Sequence, residues 1–172
     1  MHFVLDAFPQ TRHRTRAVIV IGMGNEFRHD DAAGLIAARR LRTLGLPAEE
    51  HQGDPATLIE RWKGINDVML IDAVWSGAAP GTLHRLDVSG SPLPRHLFLA
   101  STHSMGLAEA VELSRVLGTL PARVLVFGVE GKNFRPGIGV SPEVERTLRV
   151  LVEDLQAAWA KAEATDLTDL AD

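Results

Sequence analysis

Three short stretches place acid or imidazole groups directly after apolar runs or at a helix start. Asp30 and Asp31 close the turn Gly22-Met23-Gly24-Asn25-Glu26-Phe27-Arg28-His29, which follows Ala17-Val18-Ile19-Val20-Ile21. Asp72 follows Val68-Met69-Leu70-Ile71, and His103 stands in Ser101-Thr102-His103-Ser104-Met105-Gly106. One aspartate at a helix start serves as N-cap and dipole partner; a second is free for other work. A carboxylate ending a buried run costs several kcal/mol unless it is partnered, either by loop N–H groups or by a ligand. A helix N-terminus holds a histidine toward its neutral, metal-binding form, while nearby carboxylates push the other way. Together Asp31, Asp72 and His103 suit a borderline divalent ion such as zinc, nickel or iron. Three protein ligands leave positions open for water or substrate.

Other chemistries are excluded. The opening Gly-x-Gly is not a dinucleotide fingerprint, because Phe27 occupies the third glycine position. Asp30 and Asp31 also put anions where a phosphate needs bare N–H groups. The chain has no cysteine, which removes a disulfide framework, a thiolate metal site and a cysteine nucleophile.

These groups must be positioned by the elements around them. The runs at 17–21 and 67–73 and the strongly apolar 123–129 read as buried strands, apolar on both faces. A short strand is expected near 48–52, and an edge strand or hairpin arm at 81–88. Helical periodicity marks 31–44, 55–63 and 104–117. A last helix starts at Ser141-Pro142-Glu143 and buries Val144, Leu148, Leu151, Leu155 and Ala158. Alternating strands and helices predict an α/β fold: a three-layer sandwich, phosphorylase/hydrolase-like, with a mostly parallel twisted sheet flanked by helices on both faces. Ligands then bind beyond the carboxyl ends of the strands, where Asp31, Asp72 and His103 converge.

The chain has 172 residues, enough for one domain with a sizeable core. Residues 1–16 are expected to be a flexible arm, 17–162 a single domain and 163–172 an acidic tail. The net charge of −4 argues against coating nucleic acid or an anionic membrane. No apolar stretch approaches a membrane span or a signal-peptide core, and the expected location is cytoplasmic, as a monomer or weak dimer.

The stretches quoted above, with Gly128-Val129-Glu130 and Pro136-Gly137-Ile138-Gly139-Val140-Ser141-Pro142-Glu143-Val144, resemble the NiFe-hydrogenase maturation proteases over about residues 17–158. The resemblance implies an endopeptidase that removes the C-terminal extension of a hydrogenase large-subunit precursor after nickel insertion. It implies Asp31, Asp72 and His103 as the metal-binding, catalytic residues, and a turn-orienting role for Asp30. Nickel would come with the precursor, with zinc or cadmium as substitutes in vitro. The chain departs from the family at His51-Gln52-Gly53-Asp54, where many relatives read Asp-Gly-Gly-Thr, and at Ala32, where many have Gly.

The resemblance implies an aspartic-type, metal-assisted endopeptidase, and the absence of a cysteine or an evident Ser-His-Asp set agrees with it. A divalent metal lowers the pKa of bound water and polarises a carbonyl. The loop Glu130-Gly131-Lys132-Asn133-Phe134-Arg135 flanks the same rim and is either a precursor contact or a solvated loop. Trp62, Trp75 and Trp159 read as packing residues, with Trp75 nearest the site. Two other functions fit these residues: a zinc metallohydrolase acting on a small amide, and a non-enzymatic nickel-checking module.

Overall fold

The apolar run after Ala17 forms strand β1 (Val18–Met23), followed by a 3-10 turn (His29–Ala32) and helix α1 (Ala33–Thr43). Then come β2 (Ala48–His51), α2 (Pro55–Trp62), β3 (Asp67–Val74), β4 (Leu83–Asp87), α3 (Ser104–Val116), β5 (Arg123–Glu130) and α4 (Pro142–Thr168). The computed structural model describes residues 7–8, 17–94 and 104–168. Strand order is β2-β1-β3-β5-β4. All neighbours pair in parallel except β4, which runs antiparallel to β5 at the edge. This is the expected α/β sandwich.

Strand alternation divides the core between two faces. Val20, Met69, Ile71, Leu125 and Phe127 pack against Ala33, Ala37 and Leu41 of α1 and the whole apolar stripe of α4. Ile21, Met23, Leu70, Val124 and Val126 pack against Leu58 and Trp62 of α2 and Leu107, Ala110 and Val111 of α3. Each fully buried leucine in these layers contributes about 1.5–3 kcal/mol. All eight residues of β3 are buried, as a central parallel strand requires.

Strand β1 runs two residues beyond the apolar run, through Gly22 and Met23. The reason is steric. A Cβ on Gly22 would lie 2.0 Å from the Gly34 carbonyl oxygen, and one on Gly34 would lie 2.1 Å from that of Ile71. Two missing side chains let the first turn of α1 rest on the backbones of β1 and β3. The 3-10 turn is thereby seated against β3, over the carboxyl end of the sheet.

Of the expected arm at 1–16, only Ala7 and Phe8 are described, and both are buried. Phe8 meets Trp159 edge-on, with ring centroids 5.1 Å apart, and Arg123 Nη1 donates to the Ala7 carbonyl at 2.8 Å. Helix α4 continues through Thr168, because Ala160-Lys161-Ala162-Glu163-Ala164 contains no breaker and mostly strong helix formers.

Candidate active site at the carboxyl end of the sheet

Asp31 lies in the 3-10 turn and is fully buried. Its backbone is fixed on both sides. Its N–H donates to the Arg28 carbonyl at 3.2 Å, and its carbonyl accepts from Asn25 N at 3.1 Å. Gly24 makes this possible: its φ is +143°, and a Cβ there would sit 1.8 Å from the Asp31 carbonyl oxygen. The Gly-x-Gly of the sequence is therefore a seat for Asp31.

Asp72 is the sixth residue of β3, opposite Gly128 of β5, and is also fully buried. Oδ1 accepts from the Ala73 N–H at 2.8 Å, whereas Oδ2 has no hydrogen-bond partner among the described residues. Burial pushes the Asp72 carboxyl well above the usual carboxylate range, and the negative charge of Asp31 adds to this. The Ala73 bond opposes both only partly. A buried carboxyl held next to a second negative charge favours taking up a proton or accepting a cation. That donor set fits a divalent metal.

Among the described residues, no three His, Cys, Asp or Glu side chains gather into a metal-binding group. Of the three expected ligands, Asp31 and Asp72 are described and both are buried; His103 lies outside the described residues.

The neighbouring aspartate has a different task. Asp30 is buried and accepts four hydrogen bonds. Oδ2 takes them from Lys132 N (2.8 Å), Asn133 N (2.9 Å) and Ser141 Oγ (2.9 Å), and Oδ1 from Ser141 N (2.6 Å). Ser141, expected as the cap of α4, thus gives its hydroxyl proton to Asp30. Further bonds tie the same two loops. Phe27 O accepts from Gly137 N at 2.8 Å and His29 N donates to Gly137 O at 3.0 Å, while the Arg28 guanidinium donates to Phe134 O. The loop carrying Asp31 is clamped to residues 132–141, the region of the Pro-Gly-Ile-Gly motif.

The stretch 130–135 divides between structure and surface. Glu130 is the buried last residue of β5. It accepts from Ser76 N (2.8 Å), Gly77 N (3.0 Å) and Ser76 Oγ (2.8 Å), with His84 Nε2 at 3.1 Å. It therefore holds the turn after β3 rather than facing a partner, a role the sequence reading missed. Lys132 pairs with Glu143, and Phe134 is buried. Trp62 is a core residue and Trp159 packs on Phe8. Trp75 is only partly a packing residue: it stacks on Phe134 at 5.8 Å yet stays 54% exposed. Asp54 is the N-cap of α2, accepting from Thr57 N at 2.8 Å, and it is exposed.

With this geometry in view, the likeness to known proteins is specific. A family model described as hydrogenase maturation protease matches residues 53–158. The chain belongs to the hydrogenase maturation protease family. The hydrogenase 2 maturation protease of Escherichia coli is 29% identical over 82% of this chain and 89% of its own. The hydrogenase expression/formation protein HupD of Thiocapsa roseopersicina is also 29% identical, over 79% of this chain and 68% of its own. Among solved structures, the NiFe hydrogenase maturation protease HybD of Thermococcus kodakarensis superposes with a TM-score of 0.68 at 27% identity, covering 82% of this chain and 97% of that one. As a hydrogenase maturation protease the chain is a hydrolase, and the buried acid pair sits where its sheet topology places ligands.

Proposed function

We propose that this maturation protease removes the C-terminal extension of a NiFe-hydrogenase large-subunit precursor, and that Asp31, Asp72 and His103 engage the nickel already held by that precursor. The observation that carries the reading is the acid pair: Asp31 and Asp72 are both fully buried, and Asp72 ionises against burial and against the charge of Asp31. Such a pair is costly in isolation and is relieved by a cation. A protein metallated permanently at this point would need no licence; one whose acid pair is completed by the substrate's own metal acts on loaded precursor alone.

The chain's residues divide the work. Ala73 N–H fixes Asp72 Oδ1 and leaves Oδ2 for the cation. Asp30 holds the Asp31 turn rigid through its four hydrogen bonds. Asp31, Asp72 and His103 would hold the precursor's metal, which would supply Lewis-acid chemistry for the cleavage. Large apolar side chains exposed on three successive rim loops, Phe27, Trp75 and Ile138, suit a macromolecular substrate better than a small amide. Among the described residues no helix is long and apolar enough to cross a membrane. The proposed setting is the cytoplasm, as a monomer or weak dimer.

The test is the intact mass of a nickel-loaded precursor incubated with the protein. One cut near the precursor C-terminus is expected, abolished in Asp31→Ala, Asp72→Ala and His103→Ala. An unchanged mass with a verified loaded cognate precursor would overturn the reading, and undiminished cutting by the three variants would overturn the site.

A further inference from the structure

We propose that His51 is a positioning residue: its ring fixes the loop on which the first turn of α3 rests, and thereby the end of the helix next to His103 in sequence. This deepens the protease reading and rests on it.

Strand β2 ends at His51, and the imidazole folds back over the residues that follow. Nδ1 accepts the Gly53 N–H at 2.8 Å, so that nitrogen is unprotonated and the proton belongs on Nε2. Nε2 lies 3.0 Å from Thr57 Oγ1, and the Thr57 hydroxyl in turn donates to Asp54 Oδ1 at 2.9 Å. The Asp54 carboxylate also accepts the Thr57 N–H as the cap of α2. Every donor in this chain finds an acceptor. A side-chain acceptor bonded to the N–H two residues on is the arrangement of an Asx turn. Nδ1 of His51 reproduces it.

The loop matters because of what touches it. Gly53 has a φ of +85°, which aims its carbonyl at α3. A Cβ on Gly106 would lie only 2.0 Å from that oxygen, with Pro55 Cδ also within 3.5 Å. Backbone therefore meets backbone, with no flexible side chain between to absorb a shift. A displaced Gly53 carbonyl displaces the third residue of α3. His51 also lines a cleft of about 410 Å³ together with Gly24, Asn25 and Phe27, the loop leading to Asp31. One ring thus touches both that cleft and the loop under α3.

The test compares His51→Ala with His51→Asn, whose carbonyl oxygen can accept the same Gly53 N–H. Both are assayed well below their melting temperatures. His51→Ala is expected to lower kcat for precursor cleavage by about 10–100-fold with little change in KM, as a small misplacement of reacting groups does. His51→Asn should stay within about threefold of wild type, because the turn-closing acceptor survives. Hydrogen exchange at residues 108–110 supplies a readout independent of activity: faster in His51→Ala, near wild type in His51→Asn. Equal kcat losses in the two variants, or wild-type kcat and exchange in His51→Ala, would overturn the proposal. If the wild-type protein cleaves no precursor, the proposed function fails by itself, and the exchange comparison still decides the role of His51.

Discussion

Asp72 ionises against complete burial and, after that, against the negative charge of buried Asp31. The fold holds both aspartates there by backbone means: Gly24 admits the Asp31 carbonyl, and Gly22 with Gly34 lets α1 rest on the strands. The protein retains an acid pair that opposes its own folding, as binding sites commonly do.

Metal-free Asp72→Asn is expected to be more stable than wild type at neutral pH. The folded carboxyl has a raised proton affinity, so its contribution to stability is complete below the unfolded value near 4 and is lost as pH rises through the folded one. The amide has no such loss. A higher melting temperature for Asp72→Asn is expected at pH 7, and the difference should vanish toward pH 4. Thermal melts of both proteins across that range check it. A wild type that melts higher than Asp72→Asn at pH 7 would contradict the assignment.

Asp30→Ala strands four donors from Lys132, Asn133 and Ser141. A buried donor left without its acceptor costs about 1–3 kcal/mol. Denaturant unfolding should show that loss, with accelerated amide exchange at 132, 133 and 141.

Gly34→Ala places a Cβ 2.1 Å from the Ile71 oxygen and 2.3 Å from that of Met23. Both are backbone atoms of the sheet, so the helix must move. A loss of about 3 kcal/mol or more is expected. Gly90→Ala is the control, since nothing lies within 4 Å of its added Cβ. Comparable melting temperatures for the two variants would refute the packing argument.

Trp75→Ala loses a stack on Phe134 but little burial. Its stability cost should stay near 0.5–1.5 kcal/mol. In the cleavage assay KM should rise more than kcat falls, because an exposed rim aromatic acts on docking.

Much of this was legible in the residues. The apolar runs at 67–73 and 123–129 had to be central strands, and the stripe Val144–Ala158 had to face a core. Asp31 and Asp72 follow from one rule, that ligands gather at strand carboxyl ends. What stayed hidden depended on distance in three dimensions. Asp30 and Asp31 are adjacent and chemically identical; the resemblance alone told them apart, and the physical reason, residues 132–141 closing on Asp30, lies only in the fold. Glu130 looked like a loop residue because its partners, Ser76, Gly77 and His84, come from a turn and an edge strand some 50 positions away. The burial of Phe8 needed the far end of α4. The His-x-Gly spacing at 51–53 was visible, but its meaning lay in Gly106.

The central claim is that the acid pair is completed by the metal of the precursor. The most direct measurement is the initial rate of precursor cleavage, followed by intact mass, for nickel-loaded and nickel-free forms of one precursor. The account predicts a single C-terminal cut with loaded precursor, none with the nickel-free form, and none with either for Asp72→Asn. Equal rates on the two forms would contradict it.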